Sequence, residues 1–208
     1  MERVKPILIA FAGLDGCGKS KQVKLLAERL DCLGVPAITN KAKESRHEEL
    51  LALLMAELGI PENSLSFMLL YQALHRRQYE KARDALAAGN VVVADRWNES
   101  FFVYHRTFGP CAGRNDVLAT LDQLAFEGRK PDICFLLDVS VDCAFERRRK
   151  RKCAEKVFSE RKREFYEAIR KEYLRMAEDE GWFVLDAKRP KEEVHADVCR
   201  KVFERLGL

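Results

Sequence analysis

The sequence predicts an α/β fold of three layers, a doubly wound parallel sheet of five strands with helices on both faces. Three observations predict it. Short apolar runs of strand length alternate along the chain with longer segments of helical periodicity. A glycine-rich phosphate-loop motif follows the first apolar run and opens the first helix. Asp15, Asp95 and Asp138 lie at or just past the ends of three such runs, and ligands of such sheets gather at the carboxyl ends of strands.

At 208 residues the natural count is one domain, 1–208, with enough chain for a real core. No apolar run approaches membrane-spanning length, and the apolar run near the N-terminus reads as a strand and not as a signal peptide. The seven cysteines are scattered, without a C-x-x-C pair, which argues against a disulfide framework or a zinc site and for reduced thiols in the cytoplasm. A net charge of +4 suits an anionic small molecule and does not demand nucleic acid.

The elements follow in order. Ile7 to Ala12 is apolar throughout and bounded by Gly13, as a buried parallel strand should be. The first helix is expected from Lys19 to about Leu33, with Val23, Leu26, Ala27 and Leu30 on its apolar face and Gly34 as its stop. Ala37 to Thr39 is a short second strand, reached by a right-handed crossover. Ser45 caps a helix whose face is Leu50, Leu51, Leu54 and Leu58, and Gly59 ends it. A long helical region covers about Glu62 to Ala88. Val91 to Asp95 is the third strand, and helices are expected over 98–108 and 114–127. Phe101, Phe102 and Phe108 are expected in the core. Pro131 opens the fourth strand, Ile133 to Asp138. Ser140 then caps a helix that runs into the basic stretch 147–152. A helix from about Ser159 to Asp179, a strand from Trp182 to Leu185 and a helix over 191–206 complete the chain.

Gly13-Leu14-Asp15-Gly16-Cys17-Gly18-Lys19-Ser20 carries the most chemistry. Its glycines let successive backbone N–H groups point at one phosphate. Lys19 would place an ammonium against the β- and γ-phosphates, Ser20 would offer a hydroxyl to Mg²⁺, and the helix N-terminus favours the same anion. With Cys17 and Lys21, these residues are the candidate ATP site.

Four stretches, AGLDGCGKSKQ (12–22), ALAAGNVVVADRWNESFFVY (85–104), PDICFLLDV (131–139) and FSERKREFYEAIRKEYL (158–174), make the chain resemble the thymidylate kinases, a family of nucleoside monophosphate kinases, over nearly its whole length. The resemblance implies a strand order of 2-3-1-4-5 and a lid at about 147–160. It also implies transfer of the ATP γ-phosphoryl group to a pyrimidine deoxynucleoside monophosphate, dTMP by default, with Mg²⁺, and a homodimer. It places Asp15 at the 3′-hydroxyl of the acceptor and Arg96, whose planar fork suits a phosphate, at the acceptor's monophosphate. Asp95 would hold a magnesium-bound water or orient Arg96. Asp138 ends its strand similarly and is read as structural. Tyr71 would stack on the base, Ser100 and Tyr104 would line the base and sugar pocket, and Asp186-Ala187 would mark the loop that holds the adenine.

The chain also departs from the family. His75 stands where relatives carry an Arg, and His105 where many carry Gln. The segment after the second strand lacks the usual arginine, with Lys41, Lys43 and Arg46 as substitutes among which the sequence does not choose. Gly16 replaces the phosphate-loop arginine of one branch, so a lid arginine must reach the transferring phosphoryl. Arg147, Arg149 and Arg151 are the first candidates, then Arg161 and Arg163. The open alternatives are a kinase of another monophosphate or of a deoxynucleoside, with Glu44 as base. A nucleic-acid-binding ATPase using the basic run is another, and a nucleotide sensor a third.

Overall fold

A computed structural model describes residues 4–42, 45–150 and 163–208. Five parallel strands, β1 (Leu8–Ala12), β2 (Ala37–Lys41), β3 (Val91–Asp95), β4 (Ile133–Asp138) and β5 (Phe183–Asp186), form one sheet in the order β2-β3-β1-β4-β5. This is the expected fold, in the expected order. The helices are α1 (Lys19–Cys32), α2 (Ser45–Glu57), α3 (Leu65–Ala87), α4 (Asn98–Thr107), α5 (Asn115–Phe126), α6 (Val141–Arg149), α7 (Arg163–Glu180) and α8 (Lys191–Leu206). The Lys43, Glu44, Arg151 and Arg161 candidates, and most of the expected lid, lie outside the described residues.

The centre of the sheet is what the apolar runs foretold. Every residue of β1 and β3 is buried, because helices cover both faces of the middle strands. Phe11 of β1 stacks on Phe135 of β4 with ring centroids 5.3 Å apart. α1 packs against α8, while α3, α4, α5 and α7 pack among themselves. The cap expected at Ser140 holds, its hydroxyl accepting from the Cys143 N–H at α6, and Ser64 caps α3 in the same way by accepting from the Phe67 N–H.

The rim differs from expectation. Phe183 and Val184 of β5 remain 39% and 49% exposed, since an edge strand pairs on one side only. The leucine face of α2 does not close a core either: Leu50, Leu54 and Leu58 are exposed. Phe108 is likewise not core but 38% exposed, lying against Phe165 with centroids 4.5 Å apart. All six cysteines among the described residues are free thiols. No helix of the described residues is long and apolar enough to cross a membrane.

Candidate active site

The site begins where β1 runs out at the centre of the sheet, beside the point where the chain changes direction from β3 to β4. Gly13, Gly16 and Gly18 all take left-handed φ values, of 128°, 94° and 110°. At Gly13 the demand is double, because a Cβ there would lie 2.6 Å from the Leu137 carbonyl of β4. The loop thus curls tightly and delivers the N-terminus of α1 to its own hollow. Lys19 is buried in this hollow. Its ammonium donates to the carbonyls of Gly13 and Leu14, both at 2.9 Å, and lies 3.9 Å from the Asp15 carboxylate.

On one side of the loop lies a cavity of about 360 Å³. Gly16, Cys17, Gly18 and Lys21 bound it at the loop, Arg147 and Lys150 at the end of α6, and Ala187, Arg189 and Lys191 opposite. Gln22 fixes that wall: its amide donates to the Lys191 carbonyl at 2.9 Å and its carbonyl oxygen faces His195 Nδ1 at 3.2 Å. Basic groups around a hollow at a phosphate loop are what a nucleoside triphosphate needs. The loop after β5 contributes through Ala187, and the exposed Asp186 carboxylate instead accepts from the Lys188 N–H at 2.9 Å.

On the other side stands the Asp15–Arg96 ion pair. Arg96 follows β3 directly and takes a φ of 71°, a strained value for a residue with a side chain. Two contacts hold it there: its N–H donates to the Phe11 carbonyl at 3.1 Å, and the Gln78 amide donates to its carbonyl at 2.8 Å. The turn folds the guanidinium back over the loop. Nη2 donates to Asp15, and Nη1 donates to Tyr173 at 2.7 Å and to Ser100 at 3.1 Å. Packing around Asp15 pushes its pKa up. The Arg96 guanidinium, the Lys19 ammonium and the Arg148 charge more than offset this and hold it well below the usual carboxylate range. Burial pushes the Tyr173 and Tyr104 hydroxyls up, so both stay protonated donors.

Ser20 and Asp95 meet beside the loop, with the hydroxyl donating to the carboxylate at 2.5 Å. Two hard oxygen donors this close fit Mg²⁺, which takes few protein oxygens and keeps waters and phosphates for the rest. Asp138 is committed elsewhere. Its two oxygens accept from Arg170 Nε and Nη2, each at 2.7 Å, as its structural reading required.

Tyr71 and His75 do share a face of α3, with ring centroids 6.4 Å apart. His75 is buried among Tyr71, Phe101 and Phe126, with Nδ1 2.9 Å from the Gln72 carbonyl oxygen. Burial lowers its pKa to about 4, the neighbouring His105 adding to the effect, and burial alone lowers His105 to about 4. Both are therefore neutral imidazoles at physiological pH. Tyr104 rests against Phe165 at 6.2 Å. Of the lid candidates, Arg147 reaches the loop, Arg149 is exposed, and Arg163 is paired with Asp142. Lys41 is exposed at the end of β2, in register with Asp95.

Sequence reasoning missed two residues. Tyr173 sits 77 residues from Arg96, and only its place in a helix that resembles the family's pointed to this region. Arg148 lay hidden in a basic run.

A phosphate loop with a basic cavity on one side and an arginine fork on the other suits phosphoryl transfer between nucleotides, and the chain is a phosphate-loop nucleoside monophosphate kinase that uses ATP. The family model for thymidylate kinase matches residues 11–198. The thymidylate kinase of Fervidobacterium nodosum is 35% identical over 204 residues, covering 95% of this chain and 98% of its own. That of Dinoroseobacter shibae is 36% identical over 199 residues, covering 92% and 93%. That of Halothermothrix orenii is 30% identical over 205 residues, covering 96% and 97%. The chain belongs to the thymidylate kinase family.

Proposed function

We propose that the protein transfers the γ-phosphoryl group of ATP to dTMP, giving dTDP and ADP. The observation that carries this reading is the Asp15–Arg96 pair on the phosphate loop, opposite the donor cavity. An arginine fork held 2.7 Å from Tyr173 is pre-aimed for a phosphate monoester. The acceptor oxygen is already ionised, so no strong general base is needed. Catalysis is positioning and charge neutralisation: Lys19 and the loop N–H groups on the donor phosphates, Arg96 on the acceptor. Magnesium, when bound, would neutralise charge on the donor phosphates, held by Ser20 and Asp95. Asp15, ionised at every working pH, accepts from Arg96 and has acceptor capacity left for a sugar hydroxyl. Tyr71, His75, Ser100 and Tyr104 surround the base and sugar.

The segment that begins at Arg147 acts as the lid, which excludes water and so prevents wasteful hydrolysis. The family's habit of pairing and the exposed Leu50, Leu53, Leu54 and Leu58 of α2, with Leu65 and Leu69 of α3, support a homodimer. The free thiols support a cytoplasmic location.

The test is ADP release from MgATP with a panel of monophosphates. Turnover with dTMP well above dUMP, dCMP and the ribonucleotides is expected. Strong turnover with another monophosphate would keep the chemistry and overturn the acceptor; ADP release only with DNA would overturn both.

A further inference from the structure

Helix α6 lies directly on the phosphate loop at Gly16. A Cβ at that position would meet the Ala144 carbonyl at 2.5 Å and Arg148 Cγ at 2.9 Å, so helix backbone and arginine stem both rest on loop backbone. Neighbouring residues on a helix leave it roughly 100° apart, so two adjacent arginines here part company. Arg147 goes to the donor side, where its Nη1 donates to the Cys17 carbonyl at 3.5 Å and its side chain bounds the cavity. The stem of Arg148 instead lies against Gly16, the neighbour of Asp15 in the loop, and the Asp15 carboxylate feels its charge.

We propose that Arg148 binds the phosphate of the acceptor nucleotide, as a second guanidinium beside Arg96. The proposal rests on the phosphoryl-transfer reading above and assigns it a residue that neither the motif nor the resemblance named. Three observations favour it. First, Arg96 is already engaged on both nitrogens of its fork, with Asp15, Ser100 and Tyr173, so one arginine leaves much of a dianion's charge uncompensated. Second, the segment after β2 has no arginine at the place where relatives carry theirs, and Lys41, at the end of β2, is exposed and a point charge instead of a fork. Third, Arg148 is half-buried and its stem is pinned on Gly16, so it is more sharply aimed than a surface side chain. The last turn of α6, where the lid begins, would then set both reacting phosphates, Arg147 the donor's and Arg148 the acceptor's, with Gly16 as the point where the helix meets the loop.

The experiment compares wild type with Arg148→Met and Arg148→Lys, measuring KM for dTMP, KM for ATP and the inhibition constant of thymidine, which offers the base and sugar without the phosphate. Arg148→Met is expected to raise KM for dTMP about 10-fold or more, with KM for ATP and thymidine inhibition held within about twofold. Arg148→Lys recovers part of the loss, because it restores charge without the fork. If Arg148→Met weakens thymidine and dTMP alike, or raises KM for ATP as much as KM for dTMP, the arginine merely docks α6 and the proposal is wrong. Unchanged dTMP kinetics would overturn it too. Absence of dTMP turnover in the wild type would instead bring down the functional reading on which the proposal stands.

Discussion

The two sides of the phosphate loop are made of different material. The proposed donor side is chiefly backbone: left-handed glycines, a helix N-terminus and a lysine that donates to two loop carbonyls. The proposed acceptor side is chiefly side chains brought from distant elements, Arg96 after β3, Ser100 on α4 and Tyr173 on α7. A backbone cradle needs a fixed local spacing and leaves a signature in the sequence. A side-chain network needs only that its members meet in space, so it can change its parts while keeping its charge.

Lys19→Ala breaks the donor side and has the largest expected effect. Removing the cation proposed to neutralise the transferring phosphates should lower kcat by about 10³-fold or more. The circular dichroism spectrum should be unchanged, since among the described residues Lys19 bonds only within its own loop. Wild-type turnover in this variant would remove the loop from the chemistry.

Arg96→Ala breaks the acceptor side. KM for dTMP should rise about 10²-fold while KM for ATP stays close to wild type. Melting temperature should move little, because Ser100 and Tyr173 keep each other at 3.0 Å and Asp15 is 40% exposed to water. Equal losses for both substrates would mean that the two sides are not separable.

The histidines sharpen the contrast, because the acceptor side buries groups that titrate. His75 and His105 have pKa values lowered to about 4, whereas in the unfolded chain they return to near 6.5. Between those values the unfolded state binds more protons, so stability is full above about pH 6.5 and is lost as pH falls toward 4. Each histidine contributes a loss of about 3 kcal/mol by the bottom of that window. Urea midpoints at pH 7 and pH 5 should differ clearly in wild type and less in His75→Gln. An identical pH slope in that variant would exclude His75 as the source.

Legibility in the sequence follows the same division. The strands, the loop and α1 were readable because apolar runs and glycine spacing are local, whereas the strand order came from the family resemblance. Arg96 was reachable through the Asp95-Arg96-Trp97 triplet, in a stretch shared with the family, and Asp15 through its place inside the phosphate loop. Tyr173 was not, because nothing local marks a tyrosine that bonds an arginine 77 residues away. Arg148 was masked by its own surroundings: six consecutive basic residues look alike until Gly16 shows which one lies against the loop. The leucines of α2 misled for another reason. Helical periodicity reveals that a face is apolar, not what covers it.

Asp138→Asn tests whether carboxylates at strand ends are interchangeable, and it carries the smallest expected effect. Asp138 and Asp95 end strands on opposite sides of β1. Asp95 accepts from Ser20 beside the loop, while Asp138 is locked to Arg170 through both oxygens. The asparagine would turn one acceptor into a donor facing a guanidinium N–H and remove the charge. The pair is part-buried, so the cost should be about 1 kcal/mol, or roughly 2–4 °C in melting temperature for a chain of this size. Activity and its dependence on magnesium concentration should not change. A shifted magnesium requirement in Asp138→Asn, with none in Asp95→Asn, would exchange the two roles and move the metal to the β4 side of the loop.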